Sequence, residues 1–105
     1  MKVAIRSKDG KTVSDSVTCF SGYLVYELEG ERVVRSEFRK CDPSHSTDLR
    51  YIGDCDTVIS RTLLPEEKEF LRKMGKEVLI TFNSSPEEAL RIFLRQRIYS
   101  DSFVH

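Results

Sequence analysis

Two short apolar-patterned runs, Tyr23–Leu28 and Arg32–Phe38, face each other across Glu29-Gly30-Glu31. This pattern predicts a β-hairpin, with Gly30 supplying the backbone freedom of the turn. Tyr23 and Val25 fall on one face of the first run, and Leu24, Tyr26 and Leu28 on the other, as in an interior strand. In the second run Val34, Ser36 and Phe38 point one way, and Arg35, Glu37 and Arg39 the other. A charged face suits an edge strand protected against stray pairing. Lys2–Arg6 reads as a buried strand that stops at Ser7-Lys8-Asp9-Gly10, where Asp-Gly favours a turn. Lys11–Gly22 is a polar loop.

Further along, Lys40–Thr47 is a second loop, broken by Pro43, and Asp48–Ile52 reads as a short helix capped by Ser46 or Thr47. Thr57–Ser60, extended back to Cys55, is a strand. Pro65–Met74 is an amphipathic helix with Pro at its first position, Glu66 and Glu67 at its positive end, and Phe70, Leu71 and Met74 as its apolar stripe. Glu77–Phe82 is a buried strand. Ser85-Pro86-Glu87-Glu88 combines a capping box with an N-terminal Pro and opens a helix running to about Arg97, packed through Leu90, Phe93 and Leu94. Ser100–His105 reads as a tail. A helix joining the last two strands requires a right-handed parallel crossover, so the chain is expected to be α/β with a mixed sheet.

At 105 residues the chain is expected to be one domain, 1–105, with a single core. Lys+Arg and Asp+Glu both number 17, so the basic surplus of a typical nucleic-acid binder is missing. No apolar run reaches the length of a bilayer span, and Val3-Ala4-Ile5 is too short for a signal-peptide core. A cytoplasmic protein without nucleic-acid or membrane partners is expected. Three scattered cysteines, Cys19, Cys41 and Cys55, argue against a secreted disulfide framework.

Several stretches together resemble the dinitrogenase iron–molybdenum cofactor biosynthesis family, small domains with a ribonuclease H-like motif. Met1-Lys2-Val3-Ala4-Ile5 is similar to the family's opening strand, and Asp9-Gly10-Lys11-Thr12-Val13-Ser14 to its following turn. Tyr23-Leu24-Val25-Tyr26-Glu27-Leu28-Glu29-Gly30 is similar to its hairpin, and Ser85-Pro86-Glu87-Glu88-Ala89-Leu90 to the start of its last helix. The resemblance implies a three-layer α/β/α fold. Its five-stranded mixed sheet would have order 3-2-1-4-5, with strand 2 antiparallel. It also implies an iron–sulfur or molybdenum-containing cluster as ligand, within nitrogen-fixation-related cofactor biosynthesis. The chain departs from the family pattern at Ser16, where relatives often carry a histidine. It departs again at Ser60–Leu64, where they often have a glycine-rich turn.

In an open α/β sheet ligands bind beyond the carboxyl ends of the strands, where the connections diverge. For the implied order that point lies between strands 1 and 4. Arg6, Lys8, Cys19, Arg61, Ser84 and Ser85 are therefore the candidate cofactor-binding residues, forming an anion-receptive crevice, and the resemblance adds Ser16 at the position of the relatives' histidine. Cys19, Cys41 and His45 are the candidate metal ligands, thiolate and imidazole being suited to soft metals. The plainer alternatives are solvated strand-end charges at Arg6 and Arg61, a packed thiol at Cys19 and a solvent-facing loop around Cys41 and His45. Cys55 reads as core.

Asp9, Asp15, Asp54 and Asp56 do not make a two-metal nuclease, because the first strand carries no carboxylate. His45 and His105 lie near no nucleophile elbow. The expected function is therefore non-enzymatic: a binding or carrier domain for a metallocluster or its precursor, with a cofactor-synthesis or acceptor protein as partner. The alternative is a degenerate member acting as an interaction or regulatory module. A monomer or weak homodimer is expected, with the charges of the second hairpin strand set against pairing there.

Overall fold

The computed structural model describes residues 1–14, 22–40 and 51–103, with side chains described through Gln96. Five strands form one sheet: β1 (Lys2–Ser7), β2 (Gly22–Glu29), β3 (Arg32–Lys40), β4 (Thr57–Ser60) and β5 (Glu77–Ile80). Their spatial order is β3-β2-β1-β4-β5. β2 runs antiparallel to both β1 and β3, whereas β1, β4 and β5 are mutually parallel. Helix α1 (Pro65–Lys73) joins β4 to β5, and α2 (Pro86–Phe103) follows β5. This is the expected mixed sheet.

Two apolar clusters lie on opposite faces of the sheet. Ala4, Tyr23, Val25, Ile52, Cys55, Val58 and Val78 pack with Leu71 of α1. Val3, Ile5, Tyr26, Leu28 and Ile59 pack with Ala89, Leu90 and Phe93 of α2. Alternate residues of β1 thus feed both clusters, which is why the strand reads as continuously apolar. The arrangement is three-layered, with one helix layer on each face.

The hairpin closes at Gly30, whose φ is +62°. At its far end Gly22 lies under β3 so closely that a Cβ there would fall 2.2 Å from the Arg39 carbonyl oxygen. Between Glu27 and Leu28 the register shifts, leaving Val34 as an extra residue on β3. Such a β-bulge bends the strand and increases its twist.

Several expectations need correction. β4 starts at Thr57 rather than reaching back to Cys55, whose N–H is spent on the Ile52 carbonyl. β5 buries only Val78, because it lies at the rim of the sheet. Leu71 alone is buried in α1, while Phe70 and Met74 are about half exposed. Phe70 lies about 100° around the helix from Leu71, and Met74 falls beyond its last turn. β5 ends at Ile80, because β4 offers no partner beyond Ser60, and Phe82 is 90% exposed. α2 continues past Arg97 to Phe103, since no Gly or Pro interrupts it once its first turns are packed. The expected helix at Asp48–Ile52 falls largely outside the described residues. No helix among them is long and apolar enough to cross a membrane.

Candidate functional site at the carboxyl end of the sheet

Beyond the ends of β1, β4 and β5 the connections gather through backbone and hydroxyl bonds. After β1 the chain turns at Asp9, whose Oδ1 accepts from the Lys11 and Thr12 amides, each at 2.8 Å. Ser7 Oγ donates to the Thr12 carbonyl at 2.6 Å and accepts from the Gly10 amide at 2.9 Å. The returning segment is stapled in place: Val13 N donates to the Ser84 carbonyl at 2.8 Å, and Ser14 N to the Arg6 carbonyl at 2.9 Å. The turn that carries Lys8 and Lys11 is thereby tied to the segment that opens α2. There Ser85 Oγ accepts from the Glu88 amide at 3.4 Å, as an N-cap does. After β4, Ser60 Oγ donates to the Thr62 carbonyl at 2.7 Å, shaping the segment that carries Arg61.

Arg6 is not an open cation at this end. It is 2% exposed, and its Nη2 donates to Glu67 Oε2 of α1 at 2.5 Å. Its Nε donates to the Tyr23 hydroxyl at 3.4 Å. Burial pulls its pKa down, but the bonds to Glu67 and Tyr23 outweigh that, so the net direction is upward. The reason lies in the pleat: Arg6 shares the face of Ala4, which is the face that α1 covers. Arg6 thus joins the α1 layer, while Ser85 opens the helix of the opposite layer.

The remaining candidates divide simply. Lys8 and Ser84 are exposed, and Arg61 and Ser85 are half-buried. Ser16, Cys19, Cys41 and His45 lie outside the described residues. Cys55 is buried, and burial, followed by the nearby Asp54, pushes its thiol up to about 11. It belongs to the core, as its sequence context indicates. Among the described residues no group of three His, Cys, Asp or Glu is placed to hold a metal ion.

Two hollows are seen among the described residues, the second of which reaches the end of β5 through Ile80 and Thr81. One of about 90 Å³ is lined by Lys2, Val25, Glu27, Arg35 and Glu37. Another of about 50 Å³ lies between β5 and α2, walled by Leu79, Ile80, Ile92 and Phe93 among others.

Two features escape sequence reasoning. Glu67 has the general signature of a helix-dipole carboxylate, but its Oε1 also accepts from the Leu64 amide at 3.3 Å while it holds Arg6. Lys76 is buried and donates to the carbonyls of Cys55 at 2.6 Å and Gly53 at 3.2 Å. The faint signal for both is a charge beside an apolar strand with an opposite charge, or a turn, one crossover away.

No protein-family model matches the chain, and no curated protein matches it by sequence. Solved structures do match its fold. The protein PH0822 is 22% identical, with a TM-score of 0.81 over 91% of this chain and 90% of its own. A candidate dinitrogenase from Methanocaldococcus jannaschii is 17% identical, with a TM-score of 0.77 over 91% and 89%. The orange protein of Desulfovibrio gigas, solved in its apo form, is 11% identical, with a TM-score of 0.71 over 90% and 88%. At these identities the likeness is one of fold, and it extends across almost the whole of each chain.

Proposed function

We propose that the chain is a non-enzymatic binding or carrier domain for an iron–sulfur or iron–molybdenum type cluster, or its precursor, in cofactor biosynthesis. The observation that carries this reading is the near full-length fold likeness to a candidate dinitrogenase from M. jannaschii. The arrangement at the carboxyl end of the sheet supports it. The Lys8 turn, the Arg61 segment and the capped start of α2 place cations and backbone N–H groups around one end of the sheet. A sulfide-bridged cluster is anionic and suits such donors.

In this reading Cys19, Cys41 and His45 supply direct ligation, and Lys8, Arg61, Ser84 and Ser85 supply electrostatic and hydrogen-bond support. Ser16 precedes Cys19 by three positions in the sequence. Arg6 contributes only if Glu67 lets go of it, so it acts first as a structural cation. Transfer involves a cytoplasmic acceptor or synthesis protein. A second reading, a module that works through protein contacts without a cofactor, draws on the closing of Arg6 by Glu67.

Anaerobic mixing of the protein with iron and sulfide, or with tetrathiomolybdate, tests the proposal by visible spectroscopy. A stable coloured complex, weakened in Cys19→Ser or Cys41→Ser, is expected. A colourless protein with unchanged thermal stability contradicts the carrier reading and favours the module.

A further inference from the structure

β3 forms one rim of the sheet, and no strand pairs with its outer edge among the described residues. All its residues are exposed except Arg39, which is half-buried. Val34 and Phe38 are 44% and 40% exposed. A nine-residue edge of this kind is an unusual thing to leave open, since edge strands template pairing with other chains. Its charges read at first as protection, but the positions of their signs reverse that conclusion.

Two copies related by a two-fold axis pair antiparallel, so residues equally far before and after the axis stand opposite one another. Centred on Ser36, the pairing sets Arg35 opposite Glu37 of the second copy, and Glu37 opposite its Arg35. Phe38 falls opposite Val34 of the second copy, the extra residue of the bulge. Centring on Arg35 or Glu37 would oppose like charges. Centring on Phe38 would match Glu37 with Arg39. That guanidinium, however, is already held by Asp54 at 2.6 and 2.9 Å and by the Tyr51 carbonyl at 2.8 Å. Arg35 is exposed and has no ion pair among the described residues. Glu37, 51% exposed, already accepts from Arg39 through Oε1 at 2.8 and 2.9 Å, and would meet Arg35 of the second copy through its other oxygen.

We infer that the outer edge of β3 is a self-association surface, on which a second copy of this chain pairs antiparallel about Ser36. Two five-stranded sheets become one continuous sheet. The bulge at Val34 bends the strand and confines the pairing to Val34–Phe38. The seam is small, so association is weak and depends on concentration.

Sedimentation velocity on the wild type, R35E, E37R and an equimolar mixture of the two variants tests this. The wild type is expected to shift toward twice the chain's mass as concentration rises to about 1 mM, and less so in high salt. Each single reversal sets like charges across the seam and is expected to remain monomeric. The mixture restores opposite charges at both positions and is expected to dimerise. A wild type monomeric throughout, a dimer indifferent to R35E, or a mixture no more associated than its components overturns the proposal. Hydrogen exchange on the wild type tests it without any variant: β3 amides are expected to slow with concentration while those of β5 do not. Exchange unchanged in β3 contradicts the inference.

Discussion

Arg6 and Glu67 show how a single side chain changes role once the pleat is known. A cation at a strand end reads as a ligand contact, yet its position on the α1 face makes it the anchor of that helix. Removing one partner of a buried ion pair strands the other charge, at a cost of about 3–5 kcal/mol. Glu67→Gln is therefore expected to lower the urea midpoint substantially. Arg6→Met is expected to cost less, because the carboxylate it strands is 15% exposed against 3% for the guanidinium and so lies nearer to water. Equal, negligible effects from both would show that the pair is not buried. Thr57 is a case of the opposite kind. Its Oγ1 is buried without a hydrogen-bond partner among the described residues. Thr57→Val removes that unsatisfied group at nearly constant shape and is expected to stabilise by about 1 kcal/mol in chemical denaturation. Cys55, with its thiol pushed up to about 11, is protonated and inaccessible at neutral pH. In a Cys19→Ser/Cys41→Ser variant it is expected to resist a thiol reagent until the protein is unfolded.

Among the elements, the hairpin depends most on one residue. Gly22 allows β2 to approach the Arg39 carbonyl, and Gly22→Ala is expected to destabilise by more than 1 kcal/mol because backbone, not a flexible side chain, must yield. A calorimetric midpoint unchanged in that variant would contradict the close approach. The hairpin, β1 and the start of α2 were legible because each carries a local signature: alternation, a β-branched run, or Ser-Pro-Glu-Glu. The ends of β5 and α2 were not legible from local pattern. β5 stops where its neighbour β4 stops, a fact about pairing rather than about Thr81 or Phe82. The α1 stripe misleads for a similar reason: Phe70 is as apolar as Leu71, but a nine-residue helix presents only Leu71 to the sheet.

At the scale of the whole molecule, an ion-pair network that no segment announces alone ties the end of β3 to the start of β1. Arg39 grips Asp54, which also accepts from Lys2 Nζ at 2.9 Å, so the two ends of segment 41–50 are joined to the start of β1. Arg39 first, and Lys2 after it, holds the Asp54 carboxyl well below its ordinary value of 3.8. Such a group stabilises the fold fully above its unfolded value, and the contribution is lost as pH falls through the folded one. The side chain is 45% exposed, so solvent screening limits the effect to about 1 kcal/mol or less. Wild type and Asp54→Asn are expected to differ in urea stability at about pH 6 and to converge toward about pH 2. A constant gap would place the effect elsewhere. The candidate site was legible in part: the carboxyl end of the sheet was marked by topology and the α2 cap by sequence. The burial of Arg6 depends on a partner 61 positions away. The central claim is that an anionic metal–sulfur cargo is received beyond the ends of β1 and β4. Amide chemical-shift mapping during an anaerobic titration with tetrathiomolybdate tests it most directly. The account predicts saturable shifts concentrated at Lys8–Thr12, Arg61–Leu64 and Ser84–Ser85. Shifts confined to the β3 edge or the β5–α2 hollow, or none at all, would contradict it.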